Sequence, residues 1–542
     1  MTTVRISVDN RTFAARTETT VMESLVREGL LLRSDCGSHG RCGKCLVRVS
    51  GPGHEGLSEM EETERKCIGP VERAQGYRLA CRARVLGPLS LEIPDESRLS
   101  RQVVQKGSPL LLSRLESDTL ALSPSVEDAW GVAVDIGTTT MAIYLCDLSK
   151  ASIIASTAVR NPQCIFGDDV ISRINAVRID PEVLPRLQAM IAGALDWAVF
   201  SLAMQADIEP EKITQVVSVG NSIMLHLFLG IDPSSIGLYP YTPKFSEAKT
   251  LGADSIGVQS CPHARLRTLP LISGYLGADI ISAAIAADLS HEPPGTMLVD
   301  VGTNGEVLLV TESGFSATSC ATGPAFEGAA IRHGMQATAG AIDAVKFLPE
   351  TGRFEYTVIP GSDGLPTPPA GICGSGVISA AAELLHAGIL AKDGSFNPRC
   401  PLSSLRRGER NILEFVIATG TKYEIVLTQG DVRALQLAKG ALRAGIDLLC
   451  RENGLSRPGR ILMAGAFGSY INRADAIRIG MFPEMNVNDI VIVGNAAGAG
   501  AVLALLREDI FEKAADVARS TRVLDLASHK GFQKAFVEAL SF

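Results

Sequence analysis

The chain lacks a Gly-x-x-x-x-Gly-Lys-Ser/Thr segment, so a P-loop nucleotide site is excluded. No uninterrupted apolar run approaches the ~18 residues of a membrane helix. The opening MTTVRISVDN has no basic-then-apolar order of a secretory signal. Basic charge is also short: the net charge of −8 argues against a general nucleic-acid binder. What remains is 46% apolar and 20% charged, the balance of a soluble globular protein, and 542 residues suffice for two to four domains with ample core. Twelve cysteines without a signal segment point to a reducing compartment, and to metal or cluster chemistry before disulfides. A cytoplasmic protein touching neither membrane nor nucleic acid is expected.

Residues 131–144 read GVAVDIGTTTMAIY. An apolar run ending in Asp135 breaks at Gly137, Thr138 and Thr139, then resumes as a second β-branched run. This is a hairpin whose turn offers backbone N–H groups and hydroxyls beside a carboxylate. Such a turn suits nucleotide phosphates, with Asp135 holding Mg2+ through water. The pattern returns at 297–309, with Asp300, Gly302, Thr303, Asn304 and Glu306. One such segment alone is an ordinary turn, since Asp, Gly, Thr and Asn all favour turns. Two copies, each after an apolar run, instead imply two lobes facing one phosphate group.

Four cysteines near the N-terminus follow another pattern: Cys36-x5-Cys42-x2-Cys45 in a glycine-rich loop, then Cys81 after 35 residues. Three thiolates in one loop and one distant can wrap an iron–sulfur cluster, with loop N–H groups bonding its sulfurs. Zinc ligands usually come as two short-spaced pairs, and the three-plus-one split argues against zinc. Cys67 reads as a spectator thiol and His39 as a polar loop residue.

Alternation at 3–8 and 11–14 forms a hairpin, helical spacing follows at 21–32, and strands at 46–49 and 89–93 close a unit spanning 1–94. Residues 95–128 lack sustained periodicity and read as a linker. A first lobe is expected at 129–207, with a long amphipathic helix at 182–206, and a second at 208–542. Gly220-Asn221 is either a plain strand-to-helix turn or a ligand-facing loop. Glycine clusters at 321–328 and 371–376 suit anions at helix starts, and Cys373 reads as a small buried thiol. A strand ending in Gly465-Ala-Phe-Gly468 offers bare backbone to a base and ribose, and the same grammar recurs at 491–498 before a final helix.

The hairpin pair resembles the phosphate motifs of the superfamily containing acetate kinase, sugar kinases, actin and heat-shock chaperone ATPases. The cysteine spacing looks like the adrenodoxin-like branch of [2Fe–2S] ferredoxins. The cysteine motif, DIGTTT (135–140), Asn161-Pro162-Gln163, Gly220-Asn221-Ser222, LVDVGTNGEV (298–307), the glycines of 371–376 and the AGAFG of 464–468 occur in one order. That order resembles the reductive activators of corrinoid proteins.

The resemblance implies an α+β multidomain fold: an N-terminal β-grasp ferredoxin, a linker and a two-lobed actin/sugar-kinase-like (ribonuclease H-like) ATPase. It implies an ATP-hydrolysing reductase that returns a partner's cob(II)alamin to cob(I) for methyl transfer. The implied cofactors are a [2Fe–2S] cluster on Cys36, Cys42, Cys45 and Cys81, and ATP with Mg2+. Gly137, Thr138 and Thr139 would hold phosphate on one side, and Gly302, Thr303 and Asn304 on the other. Gly465 and Gly468 would border adenosine. Asp135, Asp300 and Glu306 would be catalytic, with Glu327 the rival to Glu306 for orienting water or metal. The implied partners are a corrinoid protein of a methyltransferase system and an upstream ferredoxin, flavodoxin or reductase, with room for a homodimer. No Asp-x-His-x-x-Gly segment occurs, so the corrinoid would stay on its partner. An iron–sulfur activator of a radical dehydratase or reductase, and a small-molecule kinase with a sensor cluster, are the alternative readings.

Overall fold

The computed structural model describes residues 2–8, 11–28, 30, 32, 40, 43, 45–50, 54–94, 97, 129–167, 169–328, 330–361, 364–399, 404–408, 411–419, 424–465 and 468–542. Cys36, His39, Cys42, Asp168, Ala466, Phe467 and the expected linker apart from Ser97 lie outside the described residues.

The N-terminal unit comprises β1 (Thr3–Val8), β2 (Arg11–Arg16), α1 (Val21–Arg27), β3 (Leu46–Val49), α2 (Glu62–Cys67), α3 (Pro70–Ala74), β4 (Tyr77–Leu79) and β5 (Leu89–Glu92). Its sheet runs β2-β1-β5-β3-β4, with β1 parallel to β5 and antiparallel to β2. Alternation does the sorting: Ile6 and Val8 point inward to meet Leu25, Val47, Leu79 and Leu91. The helix expected over 21–32 ends at Arg27. Under α2, Glu64 is fully buried. It accepts hydrogen bonds from Arg78 Nε (3.0 Å), Arg78 Nη2 (2.9 Å) and the Leu79 N–H (3.0 Å). This bidentate pair fixes α2 on β4, just before Cys81.

The first ATPase lobe is a sheet in the order β10-β11-β9-β6-β7-β8. Its strands are β6 (Trp130–Ile136), β7 (Thr140–Asp147), β8 (Ser152–Arg160), β9 (Ile213–Gly220), β10 (Thr250–Gly252) and β11 (Arg265–Thr268). Helices α4 (Val170–Ile179) and α5 (Val183–Gln205) join β8 to β9. α6 (Ser222–Phe228) follows β9, and α7 (Ala278–Ala286) leads out of the lobe. The second lobe repeats the plan as β22-β21-β12-β13-β14-β23. Here β12 is Thr296–Val301, β13 Gly305–Thr311, β14 Gly314–Cys320, β21 Arg460–Ala464, β22 Ile490–Gly494 and β23 Thr521–Val523. In each lobe an antiparallel hairpin is flanked by parallel strands, β9 beside β6 and β21 beside β12. Strands buried on both faces read as continuous apolar runs, as in VVSV and ILMA.

The lobe boundary expected at 207/208 falls inside the first sheet, because β9 pairs with β6 from Trp130↔Ile213 to Ile136↔Gly220. A strand that returns after a long helix carries no local sign of which sheet it joins. The second lobe also holds two small sheets that periodicity did not separate, β15 (Ala341–Leu348) with β16 (Arg353–Val358) and β17 (Gly371–Ile372), and β18 (Leu405–Arg407) with β19 (Leu413–Thr419) and β20 (Glu424–Thr428). α8 (Gly374–His386) and α9 (Gln429–Glu452) cover its core. After the next long helix, α10 (Ala496–Leu506), come α11 (Asp509–Ser520) and α12 (Phe532–Ala539), so the expected final helix is not the last. α10 crosses back onto the first lobe and α7. An added Cβ at Gly500 would lie 2.0 Å from the Ser282 carbonyl oxygen, and Ser282 Oγ donates to the Ala497 carbonyl (2.6 Å). Only small residues permit this crossing, which joins the lobes.

By length and composition α5 is apolar enough to cross a membrane. In the fold its buried face, including Leu187, Ile191 and Leu195, packs into the first lobe's core. Met190 on the same helix meets the ferredoxin core. The N-terminal unit docks there: α1 packs on α5 and on the turn Pro162–Phe166, Cys164 and Ile165 join the ferredoxin core, and Glu23 pairs with Arg186.

Arg78→Met should leave Glu64 buried without its countercharge, at a cost of about 3–5 kcal/mol. Urea unfolding followed by visible absorbance of the cluster should show the N-terminal transition moving to lower urea. An unchanged midpoint would mean that the pair contributes nothing.

Candidate functional site

The two hairpin turns face each other across a cleft of about 300 Å3. Asp135, Gly137, Thr138, Thr139, Asp300, Gly302, Thr303, Asn304, Glu306 and Gly465 line it, together with Asn221, Asp279, Glu327, Cys373, Ser375, Tyr470 and Asn495. Gly468 is not among the lining residues; a Cβ there would lie 3.2 Å from the Met463 side chain, and the turn Gly468–Tyr470 brings Tyr470 to the rim. The Cys373 thiol is buried and bonded to the Ile342 carbonyl (3.3 Å).

The first turn is held from behind at three successive carbonyls. Asn161 Nδ2 donates to Gly137 O (2.9 Å), Arg173 Nη2 to Thr138 O (2.6 Å) and the Asn161 N–H to Thr139 O (2.8 Å). A planar trans peptide directs its N–H opposite its C=O, so the following N–H groups turn away from these anchors. Asn221 caps α6 through Met224 N (2.9 Å) and donates to Thr138 Oγ1 (3.1 Å). At Gly137 a side chain is impossible without movement, since a Cβ would sit 2.5 Å from Thr140 O. The second turn is braced by Thr322 Oγ1, which donates to Thr303 O (3.0 Å). Gly465, at φ +97°, lets β21 pass under Asp300, where a Cβ would come within 2.7 Å of the carboxylate.

Four carboxylates share the cleft floor. Burial, then the charges of Asp279 and Asp300, pushes Asp135 up to about 8. Burial and Asp300 push Asp279 up to about 7, and burial pushes Asp300 up to about 6. Glu306, opposite Asp300 in the β12–β13 register, is raised well above its ordinary value by burial and then by Asp279, Asp300 and Asp135. The three aspartates each keep an accessible edge, whereas Glu306 is 5% exposed. Among the described residues no three His, Cys, Asp or Glu groups converge to hold a metal directly. Asp135, Asp279 and Asp300 could hold Mg2+, which keeps several waters and takes one or two carboxylates plus substrate phosphates.

In the ferredoxin unit, the Ala80 N–H bonds to Cys45 O (2.8 Å), which brings the buried Cys45 and Cys81 to one end of the β3–β4 pair. Gly40 and Gly43 take φ of +70° and +66° in the loop before Cys45, and the Cys67 thiol donates to Gly40 O (3.0 Å). Positive-φ glycines and two buried thiols at one strand end suit a loop wrapped around a cluster. Cys67 thus buttresses Gly40.

Three family models match in succession: the 2Fe-2S iron-sulfur cluster binding domain over 4–86, the RACo middle region over 130–292, and the C-terminal ASKHA domain of RACo over 295–542. The corrinoid activation enzyme RamQ of Eubacterium limosum is 31% identical, covering 95% of each chain. The chain belongs to the corrinoid activation enzymes. A solved reductive activator for a corrinoid, iron–sulfur protein superposes with a TM-score of 0.70 at 30% identity, covering 99% of this chain and 98% of that one. The [Co(II) methylated amine-specific corrinoid protein] reductase of Methanosarcina barkeri is 26% identical over 71% of this chain and 70% of its own. The activator thus carries a 2Fe-2S binding domain and an ASKHA ATPase domain.

Asp279 and Asn495 were not picked out as site residues from the sequence. Asp279 opens the small-residue helix α7, and an acid at a helix start has an ordinary explanation in the dipole. Asn495 caps α10 through Gly498 N (3.0 Å), and its amide also bonds Asp135 and the buried Tyr144 hydroxyl (3.1 Å). Only the packing of α7 and α10 onto the first lobe reveals that both face Asp135.

Raised carboxylate pKa values mean that the folded protein holds protons which the unfolded chain releases. Their contribution to stability is therefore full below about pH 4 and is lost as pH rises through 6 to 8. A bound cation relieves the same repulsion. The gain in Tm from Mg2+ should therefore grow between about pH 5.5 and about pH 8.5, as followed by calorimetry. A gain independent of pH would contradict the clustered-carboxylate picture.

Proposed function

We propose that this activator couples ATP turnover to one-electron reduction of a corrinoid protein, taking cobalt from Co(II) to Co(I). Membership of the corrinoid activation enzymes and the paired 2Fe-2S and ASKHA domains support the reading. The observation that carries the coupling is the double use of one segment. Asn161 grips the first phosphate turn, while Cys164 and Ile165, three and four residues on, lie in the ferredoxin core.

A cluster on Cys36, Cys42, Cys45 and Cys81 would supply the one-electron step, fed by an upstream ferredoxin, flavodoxin or reductase. Mg2+ beside Asp135 and Asp300 would offset phosphate charge. The chain's own part is positioning. Thr138, Thr139, Thr303 and Asn304 would hold the phosphates from two lobes, and Gly465 and Tyr470 would border the nucleoside. Closure of the cleft would strain the Asn161 anchors, and Gln163 would relay that strain. Its side chain bonds Arg173 (3.2 Å) and the Leu187 carbonyl of α5 (2.9 Å), where the ferredoxin unit docks. Nucleotide state would thereby set whether the electron source stays on α5 or is released toward the partner.

The test mixes reduced activator with a purified Co(II) corrinoid protein from the same organism and follows cobalt by absorbance and electron paramagnetic resonance. Full conversion to Co(I) is expected with Mg-ATP, and little without it. Asp135→Asn and Asp300→Asn should slow the ATP-dependent phase roughly a hundredfold or more while sparing the cluster spectrum. A Co(I) yield and rate indifferent to ATP would overturn the reading.

A further inference from the structure

Glu327 reaches into the cleft between the two turns. It ends the short turn Pro324–Glu327, set between Gly323 (φ +68°) and Gly328 (φ +79°). The strap before it is tied to the second phosphate turn by Thr322. Its two carboxylate oxygens are split between the lobes: Oε2 accepts from Thr139 Oγ1 (2.8 Å) and Oε1 from Thr303 Oγ1 (2.6 Å). A single carboxylate therefore bridges the hydroxyls of both turns, at the centre of the gap where a terminal phosphate would sit.

A phosphate entering that gap is itself an acceptor and an anion. It competes for both hydroxyls and repels the carboxylate, which has room to withdraw because Glu327 is only half-buried. The space opened between carboxylate and phosphorus suits one water molecule. Glu306 is placed differently: it faces Asp300 across the hairpin, is almost wholly buried and lies among three aspartates. That setting would suit the surroundings of a bound cation.

We propose that Glu327 is the catalytic base of ATP hydrolysis, orienting the attacking water and accepting its proton. The water oxygen bonds to the terminal phosphorus, the bond from that phosphorus to the bridging oxygen breaks, and the electron pair leaves with ADP. The proton released by the water passes to Glu327 and from there to solvent. The proposal rests on the nucleotide reading of the cleft, and its test separates the two.

The experiment uses the full-length, cluster-loaded protein and measures binding of a fluorescent ATP analogue alongside steady-state hydrolysis. Glu327→Gln should bind the analogue within about threefold of wild type and lose roughly 10²–10⁴-fold in kcat, the usual contribution of a positioned base. Glu327→Ala should regain part of its turnover in added formate, which can enter the vacated space, and not in chloride of equal ionic strength. Hydrolysis by Glu327→Gln within threefold of wild type overturns the assignment. So does loss of analogue binding in step with hydrolysis, or the absence of formate rescue, because either marks Glu327 as a structural strut. A wild-type protein that neither binds nor hydrolyses ATP would instead overturn the nucleotide reading itself, and this proposal with it.

Discussion

Three backbone carbonyls in a row, at Gly137, Thr138 and Thr139, are each held by a donor behind the first hairpin turn, two of them by Asn161 and one by Arg173. The rest of the machine depends on this constraint. A turn of glycine and threonine has no intrinsic reason to hold one shape. Each of its hydrogen bonds contributes only about 1 kcal/mol net, yet together they preset the loop before any ligand arrives. Preorganisation of this kind spares the ligand the entropy of ordering the loop.

On the proposed reading, the same donors would link the cleft to the electron-transfer domain. Arg173 is fully buried and shares Gln163 with the turn on which the ferredoxin unit sits. Arg186 of α5 lies over the Phe166 ring, 5.1 Å from its centroid, and pairs with Glu23 of α1. The chain from cleft to ferredoxin is thus a short run of packed and hydrogen-bonded groups. The energy that the proposed coupling would require of it is modest. An electron transfer uphill by ~100 mV needs about 2.3 kcal/mol, within the 1–3 kcal/mol typical of coupling between two sites.

Much of this was legible in the residues. The hairpins announced themselves because buried parallel strands must be apolar and phosphate turns must be small and polar; Asp135 and Asp300 fell where the two meet. The three-plus-one cysteine spacing likewise named the cluster chemistry. What escaped the sequence was set by register and crossover. β9 joined the first sheet rather than opening the second lobe. Asp279 and Asn495 reach Asp135 from helix starts far along the chain. The sequence offers Glu327 beside Glu306, but its bridge to both turns arises only because two hairpins 165 residues apart face each other. Gly468 looked equivalent to Gly465, but only Gly465 passes beneath a carboxylate at a φ that favours glycine.

For ATP to drive the reduction, occupancy of the cleft must reach the ferredoxin dock. Hydrogen–deuterium exchange of the full-length protein, with and without Mg2+ and a non-hydrolysable ATP analogue, measures that directly. Exchange should change together in the Pro162–Phe166 turn and in α1, and Gln163→Ala should abolish the change in α1 while the analogue still binds. Protection confined to the two phosphate turns, with α1 unmoved in the wild-type protein, would contradict it.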